Sequence, residues 1–336
     1  MSINLDMGTP IEPLLFERHF VEKVWGGRAL EQRLGIALPG SAPIGETWEI
    51  VDRQEENSKV AAGAFKGRTL RELMEEYSSE ILGSSPTGKA GRFPLLVKYV
   101  DAGENLSVQV HPDEAAAARL GDPAEAKTEA WYVVDAIAEG VLYCGLRRNV
   151  GRDEFARVAN GSGVVETLSR WDVQPGQCML VPGGTVHAIG AGVTILEVQE
   201  NSDTTYRLWD WGRKGRETHV PQALESIHFG KEIRGPATAD WEKADVRGEG
   251  FRLLTLVCSD FFVMSALRIE GACRRSTEER FRIYAVSHGS GWLGVEGRDE
   301  EWALGTGDVW LVPADCGYHR LRPGRSGLNL IEMHTP

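Results

Sequence analysis

Most of the chain alternates short apolar runs with turn-forming residues. Runs rich in Val, Leu, Ile and aromatic residues, bounded by Gly, Pro, Asp or Asn, predict β-strands at 93–100, 105–111, 192–200, 251–258 and 308–314. Apolar residues at intervals of three and four, the pattern of helices, occur at 67–82, 152–168 and 220–229. The sequence therefore predicts a mainly β protein of the sandwich or jelly-roll class, in which a few helices cover a β core.

An internal repeat divides the chain. The segments 176–190 and 307–321 share the order Gly, five residues, Pro, then a His or aromatic cluster, which indicates two related β units. The intervening stretch 231–250 is polar, with a Gly-Pro pair and a charge-rich run, as expected of a linker. We therefore expect one domain at 1–235 and a second at 236–336.

Charge narrows the classes of partner. The 336 residues include 37 basic and 49 acidic side chains, and the resulting net charge of -12 repels nucleic acid and anionic membrane surfaces. No apolar run approaches the roughly 18 residues of a membrane span. A small phosphorylated ligand stays compatible with this charge, because a few Lys and Arg residues in a cleft override a repulsive global field.

The cysteines and the N-terminus bear on the compartment. The five cysteines are widely spaced and contain no C-x-x-C pair, so neither a disulfide framework nor a thiolate zinc site is indicated. The segment 1–13 lacks the basic and then apolar pattern of a secretory leader. We expect a soluble cytoplasmic protein that binds neither nucleic acid nor membranes. The sequence does not fix its oligomeric state.

Three distant segments carry side chains suited to one metal ion. Gln109 and His111 lie two positions apart on a predicted strand, so both side chains leave the same face. Glu129 begins a second apolar run, and His187 ends the run Pro-Gly-Gly-Thr-Val-His. Two imidazoles, a carboxylate and an amide oxygen form a mixed set of donors that suits Zn, Co, Mn or Fe.

The segment that ends at His187 fits a known motif. Gly176, Pro182, Gly184 and His187 match the second cupin motif, G-x5-P-x-G-x2-H, whereas Ala191 replaces its final Asn. In this motif the chain resembles the metal-binding cupins, which are jelly-roll proteins. It predicts a fold of two cupin-type jelly-roll β units with a few covering helices.

The first cupin motif departs from the usual pattern in an informative way. Gln109 replaces the first His of H-x-H, and Glu129 follows 18 residues after His111. A Gln-x-His, a delayed Lys-x-Glu and a late Pro-x-Gly-x-x-His resemble the type I mannose-6-phosphate isomerases, in their shorter bacterial branch. The resemblance covers roughly residues 14–336 and extends to further segments at 23–27, 44–49 and 197–207.

The resemblance implies a zinc enzyme that interconverts mannose 6-phosphate and fructose 6-phosphate through an enediol. It implies one Zn²⁺ per chain, held by Gln109, His111, Glu129 and His187. The residues that it carries over to catalysis are Arg207, Lys127, Asp203 and Glu197, and those that it carries over to binding of the sugar phosphate are Lys98, Ser107 and Trp25.

The resemblance gives Arg207 a role beside the enediol but does not identify the catalytic base. A lysine beside a metal ion and other cations has its charged form disfavoured, which would suit Lys98 or Lys127 to act as a base. Glu197 or Asp203 would then relay a proton or orient Lys127 and Arg207.

Two other classes of protein stay open. A non-catalytic cupin that senses a sugar or sugar phosphate would keep the metal, but it has no need of Lys98, Lys127, Asp203 and Arg207. A dioxygenase would favour a histidine-rich iron site, which Gln109 speaks against.

The second β unit lacks the ligand pattern. Tyr318 stands at the position equivalent to His187, with His319 one residue late, and no Gln-x-His precedes them. We expect this unit to bind no metal and to pack against the first. His19, His219, His228 and His334 lie outside any ligand spacing.

Overall fold

Strands make up most of the regular structure in residues 11–336, the part of the chain that the computed structural model describes. The strands are β1 (Leu14–Leu15), β2 (His19–Gly27), β3 (Ile44–Ile50), β4 (Leu95–Ala102), β5 (Val108–Val110), β6 (Glu129–Ala136), β7 (Val141–Leu146), β8 (Leu168–Asp172), β9 (Gln177–Val181), β10 (His187–Ile189), β11 (Val193–Glu200), β12 (Tyr206–Trp209), β13 (Ala237–Thr238), β14 (Val246–Gly248), β15 (Phe251–Cys258), β16 (Val263–Ile269), β17 (Cys273–Ser276), β18 (Arg282–Val295), β19 (Glu301–Gly305), β20 (Val309–Val312) and β21 (Tyr318–His334). The α-helices are α1 (Ala29–Leu34), α2 (Leu70–Leu82), α3 (Glu114–Leu120), α4 (Arg152–Val158) and α5 (Val220–Ser226). Residues 1–10, which carry most of the segment inspected for a leader and the start of the first predicted domain, lie outside the described residues.

Two antiparallel sheets face each other in the first half of the chain. One has seven strands in the order β13-β9-β6-β11-β4-β2-β3, and the other has five in the order β12-β5-β10-β7-β8. Val100 and Val133 of the seven-stranded sheet share one buried cluster with Leu142 and Ile189 of the five-stranded sheet. This two-layered β arrangement confirms the prediction of a mainly β, cupin-type fold.

A third sheet, of nine strands, forms the second half. Its main path is β1-β20-β18-β21-β16-β15-β14, with β17 and β19 paired to the long strands β21 and β18. β1 belongs to this sheet although it comes from the N-terminal end, and β13 belongs to the seven-stranded sheet although it follows the expected linker. Each half thus contributes a short strand to the other, and the boundary at residue 235 stays a prediction.

One apolar core joins the two halves. Helix α2 begins with a capping box, in which Thr69 Oγ1 accepts from the backbone N–H of Glu72 and the Glu72 carboxylate accepts from that of Thr69. Its apolar residues recur at helical spacing and enter a buried cluster that contains side chains of both halves. In that cluster the rings of Phe93 and Phe281 lie 4.8 Å apart between centroids.

The predicted helices at 67–82 and 220–229 correspond to α2 and α5. The prediction at 152–168 was too long: α4 ends at Val158, and a 3₁₀ segment follows the turn-forming residues Asn160 and Gly161. Helix α3 was not predicted, although Asp113 caps it by accepting from the N–H of Ala116. No helix in residues 11–336 is both long and apolar enough to cross a membrane.

Replacing Phe281 by Ala is expected to lower the free energy of unfolding by about 3–5 kcal/mol, because it opens a cavity in a fully buried core. Urea unfolding followed by tryptophan fluorescence measures the change. Val246→Ala is the control: this side chain is 45% exposed, so its loss should cost less than about 0.5 kcal/mol. An unchanged free energy of unfolding in Phe281→Ala would contradict a core shared by both halves.

Candidate metal centre and active site

Three buried side chains of ligand type meet between the two facing sheets. His111 follows β5, Glu129 begins β6 and His187 begins β10, and their ligand atoms all lie within 4.8 Å of one another. Nε2 of His111 is 3.4 Å from one Glu129 oxygen, and Nε2 of His187 is 3.3 Å from the other. No other group of three such residues is found within residues 11–336.

Backbone carbonyls fix the orientation of both imidazoles. Nδ1 of His111 lies 2.7 Å from the carbonyl oxygen of Thr204, and Nδ1 of His187 lies 2.9 Å from that of Thr185. When each Nδ1–H donates to its carbonyl, each Nε2 presents a lone pair to the cluster. Burial lowers the pKa of His187 and lowers that of His111 to about 4, so both rings are neutral near pH 7, as metal ligands must be.

Glu129 supplies a fixed negative charge. Burial by itself would raise its pKa, but nearby positive charge, first of all that of the Lys127 ammonium at 2.8 Å, outweighs burial and holds the pKa of Glu129 well below its ordinary value. The carboxylate is therefore ionised across the physiological range.

Gln109 completes the donor set. Its Nε2 lies 3.2 Å from Nε2 of His187, while its Oε1 accepts a hydrogen bond of 3.1 Å from Ser107. Turning the amide about its last bond would present the oxygen to the cluster instead. Nε2 of His111 is buried without a hydrogen-bond partner, and such a lone pair is costly to bury unless something binds it. Two imidazoles, a carboxylate and an amide oxygen fit a divalent ion of the zinc type.

Alternating charges continue from the cluster across the seven-stranded sheet. Nζ of Lys127 is 2.8 Å from Glu129 and 3.8 Å from Glu197, and Nζ of Lys98 is 3.1 Å from Glu197. Lys98 and Glu197 are direct register partners on β4 and β11, which places their side chains on the same face.

The pKa values of Lys98 and Glu197 are both raised, but for different reasons. Burial by itself would lower the pKa of Lys98, but the carboxylates of Glu197, Glu46 and Glu129 raise it above the ordinary value, so these carboxylates favour the charged form of Lys98. Burial and the charge of Glu129 raise the pKa of Glu197, although Lys98 opposes them. Glu197 is thus the carboxyl group of the cavity best suited to hold a proton.

Glu46 and Lys23 extend the chain of charges, and the sequence had given neither a role. Glu46 lies 3.7 Å from Nζ of Lys98 and 3.4 Å from that of Lys23, and it accepts a hydrogen bond of 2.7 Å from Trp48. Burial opposes ionisation, but the lysines outweigh it and lower the pKa of Glu46 to about 2. The only sequence signal for Glu46 was its place in the segment 44–49 of the resemblance.

A cavity of about 330 Å³ lies against the cluster. Ten of the eleven side chains singled out from the sequence line it, and His111 is the exception: the lining includes Trp25, Lys98, Ser107, Gln109, Lys127, Glu129, His187, Glu197, Asp203 and Arg207. The structure therefore brings the predicted metal ligands and substrate-binding residues to one place. Lys23, Glu46, Thr205 and Arg216 also line the cavity and were not predicted.

Arg207 stands on the opposite wall, in the five-stranded sheet. It pairs with Gln109 between β12 and β5, and its Nε donates to Ser107 Oγ over 3.3 Å. Its Nη1 donates to the carbonyl oxygen of Glu217 over 2.8 Å, and its backbone N–H donates to Nδ1 of His219. The guanidinium is thus fixed beside a proposed metal ligand, and His219 contributes to the strand rather than to the cluster.

Asp203 and Trp25 occupy different depths. Asp203 is 65% exposed in its side chain and forms an ion pair of 2.9 Å with Arg53 at the rim. Within residues 11–336 no ion pair joins Asp203 to Lys127 or Arg207, whereas Glu197 does lie beside Lys127. Trp25 is buried in the same apolar cluster as Trp131 and forms part of the cavity wall.

The second half repeats the register of the first with other side chains. Glu129 pairs with Val181, the residue before the motif proline, and Arg282 pairs with Val312, the residue before the second proline. Arg282 thus occupies the position of the carboxylate ligand, and a cation replaces an anion there.

The histidine of the second half is also bound differently. Nε2 of His319 lies 2.9 Å from the Tyr284 hydroxyl, so its lone pair already has a donor. Glu332 pairs with Tyr284 in the sheet, as Glu197 pairs with Trp131, and its carboxylate binds Arg275 over 2.9 Å. The described part of the second half therefore has paired charges where the first half has free ligand atoms.

Comparisons with known proteins agree with this geometry. Residues 14–135 match the family model of the type I phosphomannose isomerase catalytic domain. The mannose-6-phosphate isomerase ManA of Bacillus subtilis (strain 168) is 34% identical over 315 residues, which are 92% of this chain and 96% of that protein.

Solved structures agree as well. The crystal structure of the mannose 6-phosphate isomerase from Bacillus subtilis superimposes with a TM-score of 0.84 at 33% identity, covering 96% of this chain and 99% of that one. A mannose 6-phosphate isomerase bound with zinc and yttrium shares the fold, with a TM-score of 0.75 at 17% identity over 96% of this chain and 99% of that one. These matches confirm the resemblance seen in the sequence: this chain belongs to the type I mannose-6-phosphate isomerase family of enzymes.

Proposed function

We propose that this chain interconverts mannose 6-phosphate and fructose 6-phosphate, with one zinc ion per chain held by Gln109, His111, Glu129 and His187. The observation that carries the proposal is the combination in one cavity of a buried His-Glu-His cluster, a Lys-Glu pair and a fixed guanidinium. The activity named for relatives similar over nine-tenths of the chain supports the reaction. The zinc-bound neighbour and the donor set support the metal.

The reaction moves a proton between C2 and C1 of the sugar, so the cavity must accept a proton and return it. Glu197 and Lys127 are the candidate groups, since their charged atoms lie 3.8 Å apart beside the cluster. Trp131 donates a hydrogen bond of 3.2 Å to Glu197 and fixes its carboxylate. We assign the proton transfer to this pair without choosing between its two members.

Negative charge develops on the sugar oxygens as the proton leaves. Arg207 offers a fixed positive charge at the wall of the same cavity opposite Glu197. Zinc, when bound, supplies further polarisation of the carbonyl and offsets charge on the oxygens. Ser107 is held by Arg207 and is placed to contact a sugar hydroxyl or the phosphate group.

The proposed setting is the reducing cytoplasm. All five cysteines are free thiols, and four of them are buried. Burial raises the pKa of Cys144 and Cys316, so these thiols stay protonated and unreactive.

Replacing His187 by Ala is expected to abolish zinc binding, because it removes one of two imidazole donors from a site without a spare ligand. Elemental analysis should give one zinc per wild-type chain and less than about a tenth of that in the variant. Losing a residue that only hydrogen-bonds to a metal ligand already lowers metal affinity about 10- to 100-fold, and losing the ligand itself should cost more. His288→Ala, an exposed histidine in the second half, should keep one zinc. Full zinc in His187→Ala would refute the ligand assignment.

Replacing Arg207 by Ala is expected to lower kcat for mannose 6-phosphate by about 100-fold or more, as for loss of one fixed donor to a developing oxyanion. Zinc content should stay at the wild-type level, since Arg207 is not a ligand. Arg157→Ala, an exposed arginine on α4, should leave kcat unchanged. Wild-type turnover in Arg207→Ala would remove this residue from the mechanism, and zinc without turnover in the wild type would favour the sugar-sensing alternative.

A further inference from the structure

The two walls of the cavity differ in the charges that they carry. On the wall formed by the seven-stranded sheet, three ammonium groups alternate with three carboxylates, and each ammonium lies within 3.8 Å of a carboxylate: Lys23, Lys98 and Lys127 with Glu46, Glu197 and Glu129. These charges cancel one another. The fourth carboxylate of the lining, Asp203, is paired with Arg53 at the rim.

The opposite wall carries two guanidinium groups, Arg207 and Arg216. Burial lowers the pKa of Arg207, and the positive charge of Arg216 lowers it further, which reflects two like charges in one cavity. Arg207 forms no ion pair within residues 11–336, and Arg216 shares a single carboxylate, that of Asp210, with Arg213. Positive charge is therefore in excess at this wall. In a chain of net charge -12, such a local excess is what a dianionic ligand needs for binding.

Asp210 fixes the orientation of Arg216. This carboxylate is 5% exposed, and both of its oxygens accept from Nη1 of Arg216 at 3.2 Å. The hydrogen bonds of Arg216 within residues 11–336 all run through Nη1, so Nε and Nη2 stay available to a ligand. Arg213 shares Asp210 but points elsewhere, to Glu104 and the carbonyl oxygen of Asn105.

Arg207 and Arg216 differ in which of their donor atoms already form hydrogen bonds. Nε and Nη1 of Arg207 are bound to Ser107 and to a backbone carbonyl, beside the metal ligand Gln109. Arg216 lies on the loop after β12 and is about a quarter exposed, and its hydrogen bonds within the described part of the chain go to Asp210. Arg207 thus faces the reacting end of a sugar, whereas Arg216 faces the end that still meets solvent. A guanidinium with two free donor atoms matches the geometry of a phosphate group.

On the basis of the proposed function, we propose that Arg216, held in position by Asp210, binds the phosphate group of the sugar phosphate. Arg216 then determines that the enzyme takes phosphorylated rather than free hexoses. Asp210 is a positioning residue that does not touch the substrate.

The test compares Arg216→Gln with Lys214→Gln, since both remove one positive charge from the same loop and Lys214 is exposed and does not line the cavity. For Arg216→Gln we expect KM for mannose 6-phosphate to rise about 10- to 100-fold, as for lost hydrogen bonds to a charged group, while kcat changes less than about threefold. The inhibition constant of inorganic phosphate should rise by a similar factor. Lys214→Gln should leave both values within about twofold of wild type.

Other outcomes overturn the inference. If the two substitutions have equal effects, Arg216 acts only through its contribution to the overall charge of the loop. If KM rises while inhibition by phosphate is unchanged, Arg216 contacts the sugar and not the phosphate group. If the wild type fails to turn over mannose 6-phosphate, the proposed function fails first. Calorimetry with inorganic phosphate then decides separately: binding lost in Arg216→Gln but kept in Lys214→Gln supports the anion site, and binding kept in both refutes it.

The role of Asp210 is tested with Asp210→Asn, which keeps the shape of the side chain but not its charge. We expect the rise in KM and in the phosphate inhibition constant to reproduce that of Arg216→Gln, with zinc content and kcat near wild type. A loss of kcat or zinc at unchanged phosphate inhibition would show a merely structural role.

Discussion

The site depends on one physical constraint, which is that charges buried between two sheets must be paired. Glu129 is 1% exposed and stays ionised because the Lys127 ammonium lies 2.8 Å from its carboxylate. Each further charge on that wall is balanced in turn, by Glu197 and then by Lys98. Glu129 lies between Nε2 of His111 and Nε2 of His187, which backbone carbonyls hold in place, and the alternating pairs leave groups of both signs in the cavity.

The register of the strands determines which of these side chains are neighbours. Lys98, Glu197 and Trp131 are neighbours across β4, β11 and β6, so one row of the seven-stranded sheet carries a cation, an acid and the indole that fixes it. The five-stranded sheet brings Gln109, His187 and Arg207 together on adjacent strands. In the second half the same register carries Arg282, Tyr284 and Glu332: the Arg282 guanidinium lies 4.0 Å from Glu332, and the Tyr284 hydroxyl lies 2.9 Å from Nε2 of His319. A guanidinium in the position of a carboxylate ligand explains why a related β unit lacks the metal-type cluster.

The sequence predicted the features that depend on residues close together in the chain, and it missed those that depend on contacts between distant residues. Gln109 and His111 are separated by a single residue on a strand, so their common face could be read from alternation alone. Glu129 and His187 needed the motif spacing, and their convergence needed the family resemblance. Arg216 could not be found in this way, because its place in the cavity depends on Asp210 and on the loop after β12. The strands exchanged between the halves, β1 and β13, are too short to leave a pattern. The length of α4 was overestimated because apolar spacing continues past the residues that end the helix.

The central claim is that the buried cluster holds a metal required for isomerisation of a sugar phosphate. The most direct measurement is a coupled assay for fructose 6-phosphate formed from mannose 6-phosphate, run on the purified protein, after chelation, and after zinc is added back. The account predicts turnover that chelation removes and zinc restores. Turnover that persists in chelated protein shown by elemental analysis to be free of zinc and other divalent metals would contradict it.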